Sequence, residues 1–189
     1  MFSIIKKNNL ILRGDRIALS QVQIRDATDQ YLSWLNDVEV NKFLETRWIS
    51  QTLATVISHI EKVSSSPTEV LLKIMLINEG KHIGNIKIGP IDTNNKSAEL
   101  SYFIGDKSFW GHGYATEAIN LCVDYCFKTL CLHKIQAGCY EKNIGSQKAL
   151  LKSGFELEGR LRKRILDIDS NWQDHLWFGR IIDKSAREA

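Results

Sequence analysis

An α/β (α+β) domain on one mixed sheet of about seven strands, flanked by helices, is what this sequence predicts, because strand-type and helix-type periodicity alternate along it. Its 189 residues suit one hydrophobic core, and no repeat, low-complexity tract or linker divides them, so residues 1–189 are expected to form one domain. The 43% hydrophobic and 25% charged composition supplies enough apolar mass for that core.

Arg16 to Ile24 (RIALSQVQI) alternates as a strand does. Asp26 to Asp37 then sets Tyr31, Trp34 and Leu35 on one side of a helix. Ser50 is the N-cap candidate of the next helix, whose Leu53, Val56, Ile57 and Ile60 recur at helical spacing. SSSPTE, Ser64 to Glu69, reads as a surface loop. Val70 to Ile77 is a buried-strand run, NEGK turns the chain, and HIGNIKIG returns as its hairpin partner. Ala98 to Gly105 (AELSYFIG) is a further strand, and neither Pro67 nor Pro90 is expected to interrupt a periodic segment. A helix from about Thr116 to Leu130 carries Ala118, Ile119, Cys122, Val123, Cys126, Phe127 and Leu130 as its apolar stripe. HKIQAGCY is a strand, and NIGSQKALLKSG is a short helix capped by Asn143 and stopped by Gly154. FELEGRLRKRIL and QDHLWFGRII close the chain as two strands joined by DIDSN.

The net charge of +3 is dispersed, and its densest basic cluster, Arg160 to Arg164, reads as a solvated strand edge, so no nucleic-acid partner is expected. No apolar run approaches the ~20 residues of a membrane span, and no membrane partner is expected. Cys122, Cys126, Cys131 and Cys139 lack the spacing of a zinc or redox site. Cys122 and Cys126 read as small buried apolar residues, no metal is expected, and the absence of a leader points to a reducing cytoplasm.

SFWGHGYATEAI, Ser108 to Ile119, places Gly111 and Gly113 where a helix is about to begin. Backbone N–H groups at a helix start have no partner inside the helix and carry the positive end of its dipole. Glycines there let a ligand approach closely, so the stretch suits an anionic group such as a pyrophosphate. A strand-to-helix turn explains the glycines equally well. The Lys and Ser or Thr of an ATP-binding loop are missing, which excludes a kinase or ATPase reading.

The stretch resembles motif A of the GNAT (N-acetyltransferase) superfamily, whose glycine pattern is matched by Trp110, Gly111, His112, Gly113, Tyr114 and Ala115. Trp110 stands where many members carry Gln or Arg. FWGHGYATEA is, however, similar to the string usual in the RimJ/RimL-like group. A second block resembles that group through Asn143, Ser146, Gly154, Phe155, Glu158, Gly159 and Arg162, and the closing strand pair matches at Asp174. The resemblance runs from about Arg13 to Ile182.

The resemblance implies an acetyl-CoA-dependent enzyme that acetylates a primary amine directly, with both substrates bound together. It implies that the pantetheine arm pairs with the strand around Ser101, Phe103 and Ile104. Backbone amides from Gly111 to Ala115 would hold the pyrophosphate, with Trp110 and Asn143 beside the cosubstrate. Glu99 is the candidate general base, with Asp174 and Glu45 in reserve. Ser146 is the candidate acid, because Leu150 stands where many members carry Tyr; Tyr140 is a weaker one, and His112 is expected to face solvent. Glu45, Arg47, Trp48 and Asp174 are expected at the acceptor site. The acceptor is left open between a protein N terminus, an amino-sugar nucleotide and another small amine; Arg47, Arg160, Arg162 and Arg164 could form a phosphate cluster for the second. A homodimer is also left open. A non-catalytic acyl-CoA sensor or scaffold on the same fold remains the alternative, since fold does not fix function.

Overall fold

The computed structural model describes residues 10–182, so residues 1–9 and 183–189 of the expected domain lie outside the described residues. The strands are β1 (Ile11–Arg13), β2 (Ile17–Gln21), β3 (Val70–Leu76), β4 (His82–Asp92), β5 (Ser97–Ile104), β6 (Lys134–Tyr140), β7 (Glu156–Leu166) and β8 (Trp172–Ile181). The helices are α1 (Asp29–Asn36), α2 (Val38–Asn41) and α3 (Leu53–Ser65) between β2 and β3, α4 (Tyr114–Asp124) after β5, and α5 (Ile144–Lys152) after β6. All eight strands join one sheet in the order β1-β2-β3-β4-β5-β6-β8-β7. The eighth strand beyond the expected seven is β1, whose three residues are too short to display an alternation.

Helices cover the two faces unequally. On one face Leu72, Ile86, Leu100 and Ile135 pack with Ala118, Ile119, Cys122 and Val123 of α4 and Leu150 of α5. On the other, Leu71 and Phe103 meet Tyr31, Trp34, Val56 and Ile60 of α1 and α3. Burial on both faces explains why VLLKIML reads as a continuous apolar run and not as an alternation. GRLRKR lies on β7, the exposed edge strand, as expected. Cys122 and Cys126 are buried, and all four cysteines are free. No helix of the described residues is long and apolar enough to cross a membrane.

One pairing creates the working space. Neighbouring strands are antiparallel except β5 and β6, which run parallel and pair only through Ser97–Lys134, Ala98–Ile135 and Glu99–Gln136. Beyond Glu99 both strands continue, to Ile104 and Tyr140, without pairing. The sheet therefore opens as a wedge with Glu99 at its apex.

Three local expectations need correction. α3 is capped by Thr52 and not Ser50, because Thr52 and Thr55 exchange side-chain and backbone hydrogen bonds in a reciprocal box (2.9 and 3.2 Å). Thr52→Ala is expected to cost about 1 kcal/mol in denaturant unfolding. Pro90 does fall inside a strand: β4 slips its register against β5 between Ile88 and Ile91, where proline offers no N–H. The helix expected from Thr116 starts at Tyr114, with left-handed Gly113 as its N-cap, and after Asp124 it widens into a π turn, Tyr125–Thr129.

Candidate active site

The wedge holds a cavity of about 680 Å³, walled by Leu100 to Phe103 of β5, Gly138 to Tyr140 of β6, and residues from both helical layers. Asn143 and Ser146 reach it from α5, Tyr31, Val56 and His59 from α1 and α3, Glu45 from the short turn Glu45–Trp48, and His175 from β8. The cavity thus connects the two faces of the sheet.

On the α5 side three hydroxyl and thiol groups converge. Asn143 caps the helix, its Oδ1 accepting from the Ser146 N–H at 3.1 Å. The Ser146 Oγ lies 2.8 Å from the Tyr102 Oη, which also donates to the Ser146 carbonyl at 3.2 Å. Burial pushes the Tyr102 phenol far above its ordinary value. It pushes the Cys139 thiol up to about 11, against a hydrogen bond with Ser146. All three groups are neutral at pH 7, a proton-rich and uncharged setting.

On the opposite side the groups are charged and aromatic. The Tyr140 Oη donates to Glu45 Oε1 at 2.6 Å and accepts from the Arg47 guanidinium. Burial, followed by the Glu45 bond, raises the Tyr140 phenol to about 12. Burial opposes ionisation of Glu45, but donors from Tyr140 and Trp48 and the Arg47 charge outweigh it and hold the carboxyl below its ordinary value. Arg47 itself does not line the cavity. Its side chain is 4% exposed and donates to the carbonyls of Leu44 (2.7 Å) and Leu166 (2.6 Å). Trp48 also lies outside the cavity wall; it stacks on Arg47 and donates to Glu45 Oε2 at 3.2 Å.

The glycine loop lies beyond the end of β5. Trp110 donates its indole N–H to the Ile104 carbonyl at 2.8 Å. Gly111 and Gly113 have φ of +78° and +82°, the left-handed region that glycine alone enters without strain. An added Cβ would meet nothing within 4 Å at Gly111, and only the Arg16 Nη2, at 3.6 Å, at Gly113. The first bond into α4 runs from the Glu117 N–H to the Gly113 carbonyl, so the amides of Tyr114, Ala115 and Thr116 have no acceptor within the helix. This open, amide-lined start fits the pyrophosphate of acetyl-CoA.

Sequence reasoning missed what holds that loop. Arg16 donates to the His112 carbonyl (3.0 Å), pairs with Glu117 (2.8 Å) and lies over the Tyr114 ring at 4.6 Å. The other Glu117 oxygen accepts from the Arg16 and Ile17 amides, ties that outweigh burial and keep the carboxyl below its ordinary value. The Glu of the TEA string was the available signal, but its partner lies 101 residues away. His175 was also missed, because an alternating strand does not reveal which of its side chains meets a cavity.

The remaining candidates are scattered. Glu99 is exposed on the same face of β5 as Ser101 and Phe103, but does not line the cavity. Asp174 is engaged by the Lys163 amide (2.9 Å) and Arg160 (3.1 Å), also away from the cavity wall. The arginine cluster does not assemble: Arg47 is locked inside, Arg160 pairs with Glu141 and Asp174, and Arg164 alone of the four lines the cavity. His112 is exposed, as expected.

Comparison with known proteins agrees with this architecture. The acetyltransferase (GNAT) domain model matches residues 16–156. The chain is 31% identical over 165 residues to the uncharacterized N-acetyltransferase p20 of Bacillus licheniformis, covering 83% of this chain and 92% of that one. It is 45% identical over 80 residues to the probable N-acetyltransferase YjcK of Bacillus subtilis, a match spanning 42% of this chain and 43% of that relative. It is 29% identical over 109 residues to the ribosomal-protein-serine acetyltransferase of Escherichia coli, covering 58% and 60% of the two chains. The structure of Mycobacterium smegmatis RimJ in complex with CoA-disulfide superposes with a TM-score of 0.77 at 24% identity, over 93% and 88% of the chains, a likeness of fold. With the wedge, the glycine loop and the family match in agreement, the chain belongs to the GNAT family of acetyl-CoA-dependent N-acetyltransferases.

Proposed function

We propose that this N-acetyltransferase binds acetyl-CoA and a primary amine together in the wedge, and that the amine is the α-amine of a protein N terminus. The observation that carries this reading is the cavity's connection between the two faces of the sheet. The thioester end of the cosubstrate would enter on the Ser146 side and the amine on the Glu45 side. The amide-lined start of α4 would hold the pyrophosphate, leaving the acyl group to reach the opening between β5 and β6. Holding both reactants there can supply several kcal/mol of barrier reduction without a covalent enzyme intermediate.

The amine nitrogen attacks the thioester carbonyl carbon; a C–N bond forms and the C–S bond breaks. Ser146 would protonate the departing sulfur, and Glu99, outside the cavity wall, would act only across water. An N-terminal α-amine is favoured by the Escherichia coli relative, named for acetylating a ribosomal protein at serine. The dispersal of Arg47, Arg160, Arg162 and Arg164 speaks against a nucleotide sugar, which needs converging phosphate ligands. Four free cysteines are consistent with a cytoplasmic enzyme.

Thiol release from acetyl-CoA, measured against peptides starting with Ser or Ala, amino-sugar nucleotides and spermidine, tests the reading. Turnover is expected with the peptides. Turnover confined to either other class overturns the acceptor assignment. Tight acetyl-CoA binding without thiol release for any amine favours the sensor reading.

A further inference from the structure

We propose that the His175 imidazole is the cavity group that takes the proton from the acceptor ammonium. This rests on the ternary-complex reading above.

The placement follows from strand register. His175 of β8 lies opposite Tyr140 of β6, and the ring leans along the strand over Gly138. A Cβ on residue 138 would stand 2.5 Å from the His175 Nε2, so only glycine leaves the ring this site. Gly138 belongs to the part of β6 that pairs with β8 but not with β5, so the imidazole lies at the rim of the wedge and forms part of the cavity wall. The rings of Tyr140 (6.5 Å) and Trp177 (5.4 Å) hold it from either side.

The other titratable groups of the cavity suit the task less well. Glu45 is an ion already receiving bonds from Tyr140 and Trp48, and a carboxylate so stabilised is a weak base. Lys87 pairs with Glu69 at 2.7 Å, and Arg164 is a permanent cation. His59 lines the cavity from helix α3 and not from a strand next to the β5–β6 opening. Among the described residues, Arg164 from β7, Glu45 from the 45–48 turn and Tyr140 from β6 face His175. Burial first, then Arg164, lower its pKa against the pull of Glu45, so the ring is neutral at pH 7. No hydrogen bond to a described residue contributes to that balance.

Protons balance as follows. The ammonium gives one proton to His175, and the freed lone pair attacks the thioester carbonyl. The nitrogen loses its second proton to solvent as the amide forms, and the sulfur gains one from Ser146, which is reprotonated through solvent. The imidazolium then releases its proton, so one proton leaves per turnover.

The test compares wild type with His175→Gln and His175→Ala by thiol release with acetyl-CoA and a Ser-initiated peptide from pH 5.5 to 9. Calorimetry of acetyl-CoA binding reports an intact fold. Wild-type kcat/KM is expected to fall on the acid side as His175 protonates. His175→Gln should lower kcat about tenfold at pH 7 with acetyl-CoA affinity unchanged, and its deficit should shrink at high pH, where free amine is abundant. Added imidazole should restore part of the rate of His175→Ala. Glu99→Gln, run in parallel, should keep the acid limb of the wild-type profile whatever its effect on the rate. Unchanged rates in both His175 variants overturn the proposal, as does a loss with the wild-type pH profile and no imidazole rescue. Loss of the acid limb in Glu99→Gln alone moves the role to Glu99 through water. Wild type that turns over no amine overturns this proposal together with the function it rests on, an outcome distinct from all the others.

Discussion

Ser146→Ala is expected to lower the turnover number about a hundredfold while leaving the acetyl-CoA dissociation constant nearly unchanged. The substitution removes only Oγ. The cap of α5 survives, because Asn143 Oδ1 accepts from the backbone N–H of residue 146, which alanine keeps. The lost group is the hydroxyl 2.8 Å from the Tyr102 Oη. Tyr102 has a second acceptor in the Ser146 carbonyl at 3.2 Å, so it can donate there and leave the serine proton for the sulfur. A hydrogen bond to an ionised acceptor is roughly twice as strong as one between neutral groups, so the hydroxyl favours the departing thiolate over the bound thioester. A serine hydroxyl is a poor acid in water, which keeps the effect at the low end of acid–base catalysis. Steady-state kinetics and calorimetry on the same preparation separate the outcomes. If affinity falls in proportion to rate, Ser146 holds the cosubstrate and does not protonate it. If neither changes, solvent protonates the sulfur, because the Tyr140 proton is already committed to Glu45 at 2.6 Å.

Local signals carried the fold further than the site. Tyr31, Trp34 and Leu35 share a buried face because helical spacing puts them there, and β7 is an exposed edge because its run of arginines cannot be buried. Asn143 as a cap and Gly154 as a left-handed stop were legible, since each is a local backbone requirement. The glycines before α4 were legible for the same reason. The acceptor side was not. Arg47 is a polar residue in a promising stretch, yet its guanidinium is consumed by two carbonyls and a phenol, one carbonyl lying 119 residues away. Arg16 holds the glycine loop from the bend before β2, 96 residues away in sequence. His175 meets the cavity only because Gly138, on the neighbouring strand, leaves it room. These are contacts of high sequence separation, set by sheet order and register, and periodicity carries neither.

Gly113→Val should weaken acetyl-CoA binding at least tenfold, and the geometry says by which route. Crowding is not the main cause: the new Cβ would stand 3.6 Å from the Arg16 Nη2, an ordinary contact. The conformation is the cause. Residue 113 has φ of +82° as the N-cap of α4, and a β-branched side chain there costs of order 1–3 kcal/mol. The chain can absorb that cost as lost stability, or relax φ and turn the amides of Tyr114 and Ala115 away from the pyrophosphate. The loop is exposed, and its ties to the body run through the Trp110 indole bond to the Ile104 carbonyl, the Arg16 bond to the His112 carbonyl and the first turn of α4, so relaxation is the easier course. A tenfold loss corresponds to about 1.4 kcal/mol, well inside the strain available. Calorimetry with acetyl-CoA reads the affinity, and denaturant unfolding of the same variant reads how much strain remains. Weakened binding with near-native stability is the expected pair. Native affinity with a stability loss of the full strain would show that the loop keeps its shape under load. Native affinity and native stability together would remove the amide cradle from the binding of acetyl-CoA.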